Sequence, residues 1–197
     1  MADDELNIAL GKLLKEPVPI KFLPGKNELR ILRDEVQRVE KILGSGRKAR
    51  LSDRVKAFFV RTKAKIPFEN QLELLRGRVK VLEEGWVDAL LCPLTEIETA
   101  ECRFTYSKTR IYLRRVQMME EATEEGKAAA DQAVDMACDA VYEAKQVECS
   151  LKKREGGSLV RLYGPTEMSN LDPRIIHEIW VRYQQEFVLT EDEVKKF

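Results

Sequence analysis

Apolar side chains recur three and four residues apart along most of this chain, and that spacing is helical. Leu29, Leu32, Val36, Val39 and Leu43 form one stripe, stopped by "GSG" at Gly44–Gly46. Leu72, Leu75, Val79, Leu82 and Trp86 form another, within a helix expected over 69–91. Ile97, Ala100, Phe104, Ser107, Ile111, Arg114 and Met118 form a third, and Ala133, Ala137, Ala140, Ala144, Val147 and Leu151 a fourth. A stripe of this kind needs a surface to cover it. The expected fold class is therefore all-α. It consists of amphipathic helices with a central antiparallel helical hairpin and a short extended N-terminal segment.

That segment is "PVPIKFLPGK", whose prolines end a first helix carrying Leu6, Leu10, Leu13 and Leu14. Thr95, three residues before Glu98, reads as a capping box. The third and fourth stripes are separated by "EEATEEGK", where the apolar pattern fades. Two helices joined near Gly126 are expected, against the rival of one helix roughly 80 Å long at about 1.5 Å per residue. An alanine face such as that of the fourth stripe admits another helix closely. "KKREGGS" reads as a C-cap and linker, and "SLVRLYG" as a docked segment or single strand. Two domains are expected: 1–66, helical and extended with a basic stretch, and 67–197, helical.

The first two stripes also resemble each other. Asn27/Asn70, Leu29/Leu72, Leu32/Leu75, Arg33/Arg76, Val36/Val79 and Glu40/Glu83 stand at one constant offset, as a duplicated turn-helix unit would place them.

Composition narrows the function. Lys+Arg and Asp+Glu balance at 34 each over 197 residues, which argues against a generally basic nucleic-acid binder. Cys92, Cys102, Cys138 and Cys149 make no C-x-x-C pair, and one histidine cannot complete a Cys/His zinc set. No metal or cofactor is expected. There is no Gly-rich phosphate loop. Met1 is followed at once by Asp3, Asp4 and Glu5, unlike a signal peptide, and no apolar run approaches ~18 residues. Free, buried thiols in a reducing cytoplasm are expected.

Two stretches are candidates for partner binding. The first is basic: Arg47, Lys48, Arg50, Arg54, Lys56, Arg61, Lys63 and Lys65 face one nearby acid, Asp53. Arg54, Lys56, Arg61 and Lys63 are the residues that would meet an acidic protein surface or nucleic-acid phosphates. The second is "SNLDPRIIHEIWVRYQQEF". Asp172-Pro173 reads as N-cap and first helical residue. Ile176, Trp180, Tyr183 and Phe187 then line one side, with aromatic residues of the kind that dominate interfaces. His177 lies at the edge of that side. A catalytic histidine needs an orienting carboxylate and a nucleophile or water, and no sequence cue supplies either, so the chain is expected not to be an enzyme.

From Trp86 to Phe187 the order of motifs resembles the tail assembly chaperones of long-tailed bacteriophages. "WVDALLCPLTEIETAECRFTYSKTR" carries an L-x-P-L-T-x-x-E opening. "CDAVYEAKQVECSLKK" follows, and "SLVRLYGPTEMSNLDPRIIHEIWVRYQQEF" ends in a Leu-Asp-Pro cap and an I-x-x-I-W-x-x-Y helix. The resemblance implies a non-enzymatic helical protein that coats the tape-measure protein and recruits tail-tube subunits in the host cytoplasm; separately, the balanced charge gives little colloidal repulsion and makes self-association one reading. A tail or head-tail component retained in the virion is the alternative within that family setting. A nucleic-acid accessory protein using residues 47–65 is the alternative outside it.

Overall fold

The computed structural model describes residues 16–52, 54–55, 68–117, 124–189 and 194. The chain divides into two compact units. One is Lys21–Val87; the other combines Met1–Ile20 with Asp88–Phe197. A boundary at 66/67 would separate two helices that pack together inside the first unit.

Those helices are α1, Lys26–Gly44, and α2, Phe68–Glu84. They bury Leu32, Val39, Leu51, Val55, Leu72 and Leu75 in one cluster. Each such side chain contributes about 1.5–3 kcal/mol when fully buried. Leu32 and Leu75, equivalent at the repeat offset, are both completely inaccessible. Arg33 donates to Glu83 at 2.7 Å and Arg76 donates to Glu40 at 2.7 Å. The paired residues run in opposite directions, so the helices are antiparallel, and the contact is reciprocal. Reciprocity is what two copies of one helix produce about a two-fold axis. Glu35 occupies the buried row of α1, where the stripe offered only apolar residues. Arg38 donates to its Oε1 at 2.6 Å, the Ser52 backbone N–H donates to the same oxygen, and Arg38 also donates to the Arg50 carbonyl. The ion pair thus ties the segment after α1 to the helix.

The expectation of an all-α fold is overturned. Four strands, β1 (Val18–Phe22), β2 (Val87–Leu91), β3 (Leu151–Glu155) and β4 (Ser158–Arg161), form one sheet in the order β1-β2-β3-β4. β2–β3 and β3–β4 are antiparallel, with Leu91 opposite Leu151 and Arg154 opposite Leu159. The fold is mixed α and β. "VDALL" was expected to extend α2 because five apolar-rich residues fit either period. Instead α2 stops at Glu84, before Gly85, and β2 alternates, with Ala89 and Leu91 buried. "LKKRE" was expected as a helix tail and C-cap. Gly156 (φ 57°) and Gly157 (φ 88°) turn the chain back there. Two positive-φ residues in a two-residue loop close a β-hairpin whose twist matches the strands.

Between β2 and β3 rise α3, Glu96–Gln117, and α4, Glu124–Ser150. They pack as an antiparallel hairpin: Glu101 meets Lys145, Tyr106 meets Tyr142 edge-on at 5.9 Å, and Arg110 meets Asp135. Gly126 lies within the first turn of α4. Thr95 and Glu98 form the capping box at the start of α3: the Thr95 N–H donates to the Glu98 carboxylate, and the Glu98 N–H donates to the Thr95 hydroxyl. A short helix, α5 (Pro165–Ser169), precedes α6, Pro173–Phe187. Asp172 caps α6 by accepting from the Arg174 N–H at 2.9 Å, with Pro173 first in the helix. No helix among the described residues is long and apolar enough to cross a membrane.

Candidate protein-interaction site

The α6 residues expected at a partner surface are largely used within the chain. Ile176, Tyr183 and Phe187 are buried. Tyr183 and Phe187 pack ring to ring at 5.5 Å, and burial pushes the Tyr183 hydroxyl pKa up. Trp180 is half-buried; its indole N–H donates to Gln146 of α4 at 2.7 Å. His177 is exposed, with Nδ1 3.1 Å from the Glu143 carboxylate, and its ring stacks on Trp180. These contacts fasten α6 to α4. Of the basic stretch, Arg54 is exposed, and Lys56, Arg61 and Lys63 lie outside the described residues. The structure therefore buries Ile176, Tyr183 and Phe187 and ties Trp180 and His177 to α4, while Arg47, Lys48, Arg50 and Arg54 of the basic stretch are exposed.

The densest cluster of chemistry sits at the base of the hairpin, and the spacing of the sequence did not single it out. Lys145 donates to Glu101 and to Glu148, each at 2.7 Å. Arg161 of β4 reaches Glu101 at 2.6 Å and Glu148 at 3.3 Å. Two cations and two anions thus close a ring. Arg161 foremost, then Lys145, holds the Glu101 carboxyl down at about 2. Cys102 and Cys149 lie beside the ring, both fully buried. The hydrogen bond between them, then burial, push the Cys149 thiol up, and the same hydrogen bond draws the Cys102 thiol down. Each ring charge is matched by its neighbours. The arrangement fastens α3, α4 and β4 together. Among the described residues no group of three or more His, Cys, Asp or Glu side chains is placed to hold a metal ion.

Among the apolar surfaces that the structure leaves exposed is the outer side of α3. Its inner side, toward α4, carries Cys102, Tyr106 and Arg110. At 3.6 residues per turn the opposite side carries Ile97, Phe104 and Ile111. These are 81%, 68% and 55% exposed, and Tyr112 is exposed as well. The third stripe therefore faces outward, with its large apolar residues Ile97, Phe104 and Ile111 seven residues apart. Arg103, Lys108, Arg114 and Arg115, all exposed, border it. The alanine stripe of α4 is likewise turned away from α3 in its first half: Ala133, Ala137 and Ala140 are exposed, with Met136 beside them. The residues facing α3 are Val134, Cys138 and Tyr142.

The helical spacing revealed both stripes, but it carries no sign of direction. Which side of α3 faces inward depends on partners distant in sequence, such as Lys145 and Tyr142. Comparison with models of protein families, with curated proteins and with solved structures finds no match to this chain.

Proposed function

We propose that this chain is a non-enzymatic assembly protein that engages other protein helices through the outer side of α3. The observation that supports this reading most directly is the exposure of Ile97, Phe104, Ile111 and Tyr112 on a single helix. Large apolar side chains gathered on one helix and left in water are the mark of a contact surface. The resemblance of Trp86–Phe187 to phage tail assembly chaperones names the setting: infected host cytoplasm, with a tape-measure or tail-tube protein as client. The ion ring and the buried thiols hold the scaffold, and no step of bond making is assigned to them.

The test is co-purification of the chain with the tape-measure and tail-tube proteins of a long-tailed phage. Wild-type protein is expected to retain one of them, and Phe104→Asp with Ile111→Asp to lose it. Failure of the wild-type chain to retain either protein overturns the phage-tail assignment.

A further inference from the structure

We propose that Cys102 and Cys149 are a latent disulfide: a peroxide oxidant links them and staples α3 to α4 at the root of the hairpin. In the assembly role these thiols only hold the scaffold. Their placement gives them this second capacity, which is independent of what docks on α3.

Direction is the first argument. The hairpin is antiparallel, with Glu101 of α3 paired to Lys145 of α4. In an α-helix the Cα–Cβ bonds tilt toward the N-terminus. The N-terminus of α3 stands at the root of the hairpin, and that of α4 at the tip. Cys102, next after Glu101, leans toward the root. Cys149, about one turn rootward of Lys145, leans back toward the tip. The two side chains converge, and their thiols share a hydrogen bond. The Cys149 Sγ also lies 4.0 Å from the Glu101 carboxylate, on the residue adjoining Cys102.

Unequal environments are the second argument. The Cys149 hydrogen bond foremost, helped by the Lys145 and Arg161 cations, draws the Cys102 thiol down against burial and the Glu101 charge. The same bond keeps the proton on Cys149. A thiolate, not a thiol, attacks an oxidant. Cys102 is thus the sulfur that reacts first, and Cys149 the one that closes the bond. Burial pushes the Cys92 and Cys138 thiols up instead, so they serve as internal controls.

Burial selects the oxidant. Both sulfurs are fully buried, which keeps bulky disulfides away. Hydrogen peroxide is little larger than water and enters with small local openings. The Cys102 thiolate attacks one peroxide oxygen and the O–O bond breaks. Two electrons pass from sulfur to the peroxide, and the departing hydroxide takes up the proton that Cys102 gave up. Cys102 is now a sulfenic acid. The Cys149 sulfur attacks it, the S–O bond breaks, and the departing hydroxide takes the Cys149 proton. Two thiols and one peroxide yield one disulfide and two waters. The new bond closes a loop that contains nearly all of α3 and α4, and restricts the unfolded chain accordingly.

The test uses the full chain, purified with its four thiols reduced and treated with hydrogen peroxide under native conditions. The intact mass is expected to fall by two hydrogens. Alkylation in denaturant is then expected to label Cys92 and Cys138 and to miss Cys102 and Cys149. Peptide mapping is expected to recover a Cys102–Cys149 link that dithiothreitol releases. Four alkylated thiols after peroxide, or a link between any other pair, overturns the proposal. The oxidised chain is expected to melt several degrees above the reduced chain, and a chain that melts no higher overturns the staple. Cys149→Ser tests the order of events: dimedone, which traps sulfenic acids, is expected to label Cys102 in that variant and not in the wild type. A variant with unchanged circular dichroism whose Cys102 stays a thiol under peroxide overturns the assignment of Cys102 as the first sulfur. The wild-type mass and melting readings stand whether or not the variant folds, and none of these outcomes bears on capture of a tail protein.

Discussion

Arg33 reaches Glu83 across the α1–α2 pair at 2.7 Å, and the residues equivalent to them by the repeat, Arg76 and Glu40, make the same bond in the opposite sense. Both pairs are solvent-exposed, so each is worth about 0–1 kcal/mol. Their value lies in alignment: a helix slipped by one turn would lose both bonds together.

Exchange of the charges tests this alignment. Arg33→Glu alone is expected to cost about 0.5–1 kcal/mol. Adding Glu83→Arg is expected to recover most of it. Urea unfolding of the two single variants and the double variant gives the coupling energy, and a coupling indistinguishable from zero would show the pair to be incidental.

Glu35 behaves differently because it is buried. The Arg38 hydrogen bond, the largest influence, holds its carboxyl below the ordinary carboxylate range despite burial. Glu35→Ala leaves Arg38 and the Ser52 N–H without their acceptor and is expected to cost about 1–3 kcal/mol. The depressed folded pKa means that this stabilisation is complete above the unfolded value of about 4.3. It is lost as pH falls through the lower folded value. Thermal melts from pH 7 downward check both statements.

Glu101 sets the acid limit of the hairpin base. Its folded pKa is about 2, far below the unfolded value of about 4.3, so the folded state binds fewer protons across that interval. Stability is expected to fall with pH from about 4.3 to 2. Glu101→Gln should flatten that part of the profile while lowering stability at neutral pH. An unchanged profile would mean that Arg161 and Lys145 do not hold the carboxylate in solution.

The β3–β4 turn separates two glycines that look alike in sequence. Gly156 has φ 57° and Gly157 φ 88°. Asn-Gly is a preferred pair for such a loop, so Gly156→Asn is expected to be neutral or slightly stabilising. Gly157→Val places a β-branched residue at positive φ and is expected to cost about 1–2 kcal/mol. Differential scanning calorimetry of the two variants distinguishes them. Equal melting temperatures would place the turn outside the cooperative unit.

Local signals in the sequence were legible where one stretch decides the outcome. The Thr95–Glu98 box and the Asp172–Pro173 cap form as their residues dictate, and the helical period located α1, α3, α4 and α6. Signals failed where a distant partner decides. "VDALL" becomes β2 because Lys152 and Leu151, sixty residues later, offer it a ladder. "KKREGGS" becomes a hairpin because the chain beyond Gly157 returns alongside it. The ring of Glu101, Lys145, Glu148 and Arg161 joins three elements, and no spacing rule links those positions. Tyr183 and Phe187 read as potential anchors from their chemistry, yet both are buried within the chain. Phe104 and Ile111 read as part of a stripe that needs a covering surface, and within the chain their side of α3 meets water.

Since β2 and β3 are adjacent in the sheet, and the Cys92 N–H bonds the Ser150 carbonyl at 2.9 Å, α3 and α4 depart from and return to a single spot. Topologically the whole excursion is an oversized connection in a meander. Its far end can be trimmed or lengthened by matched turns of both helices, and the strands at its root need not move. The reach of this arm is therefore adjustable independently of the platform that carries it.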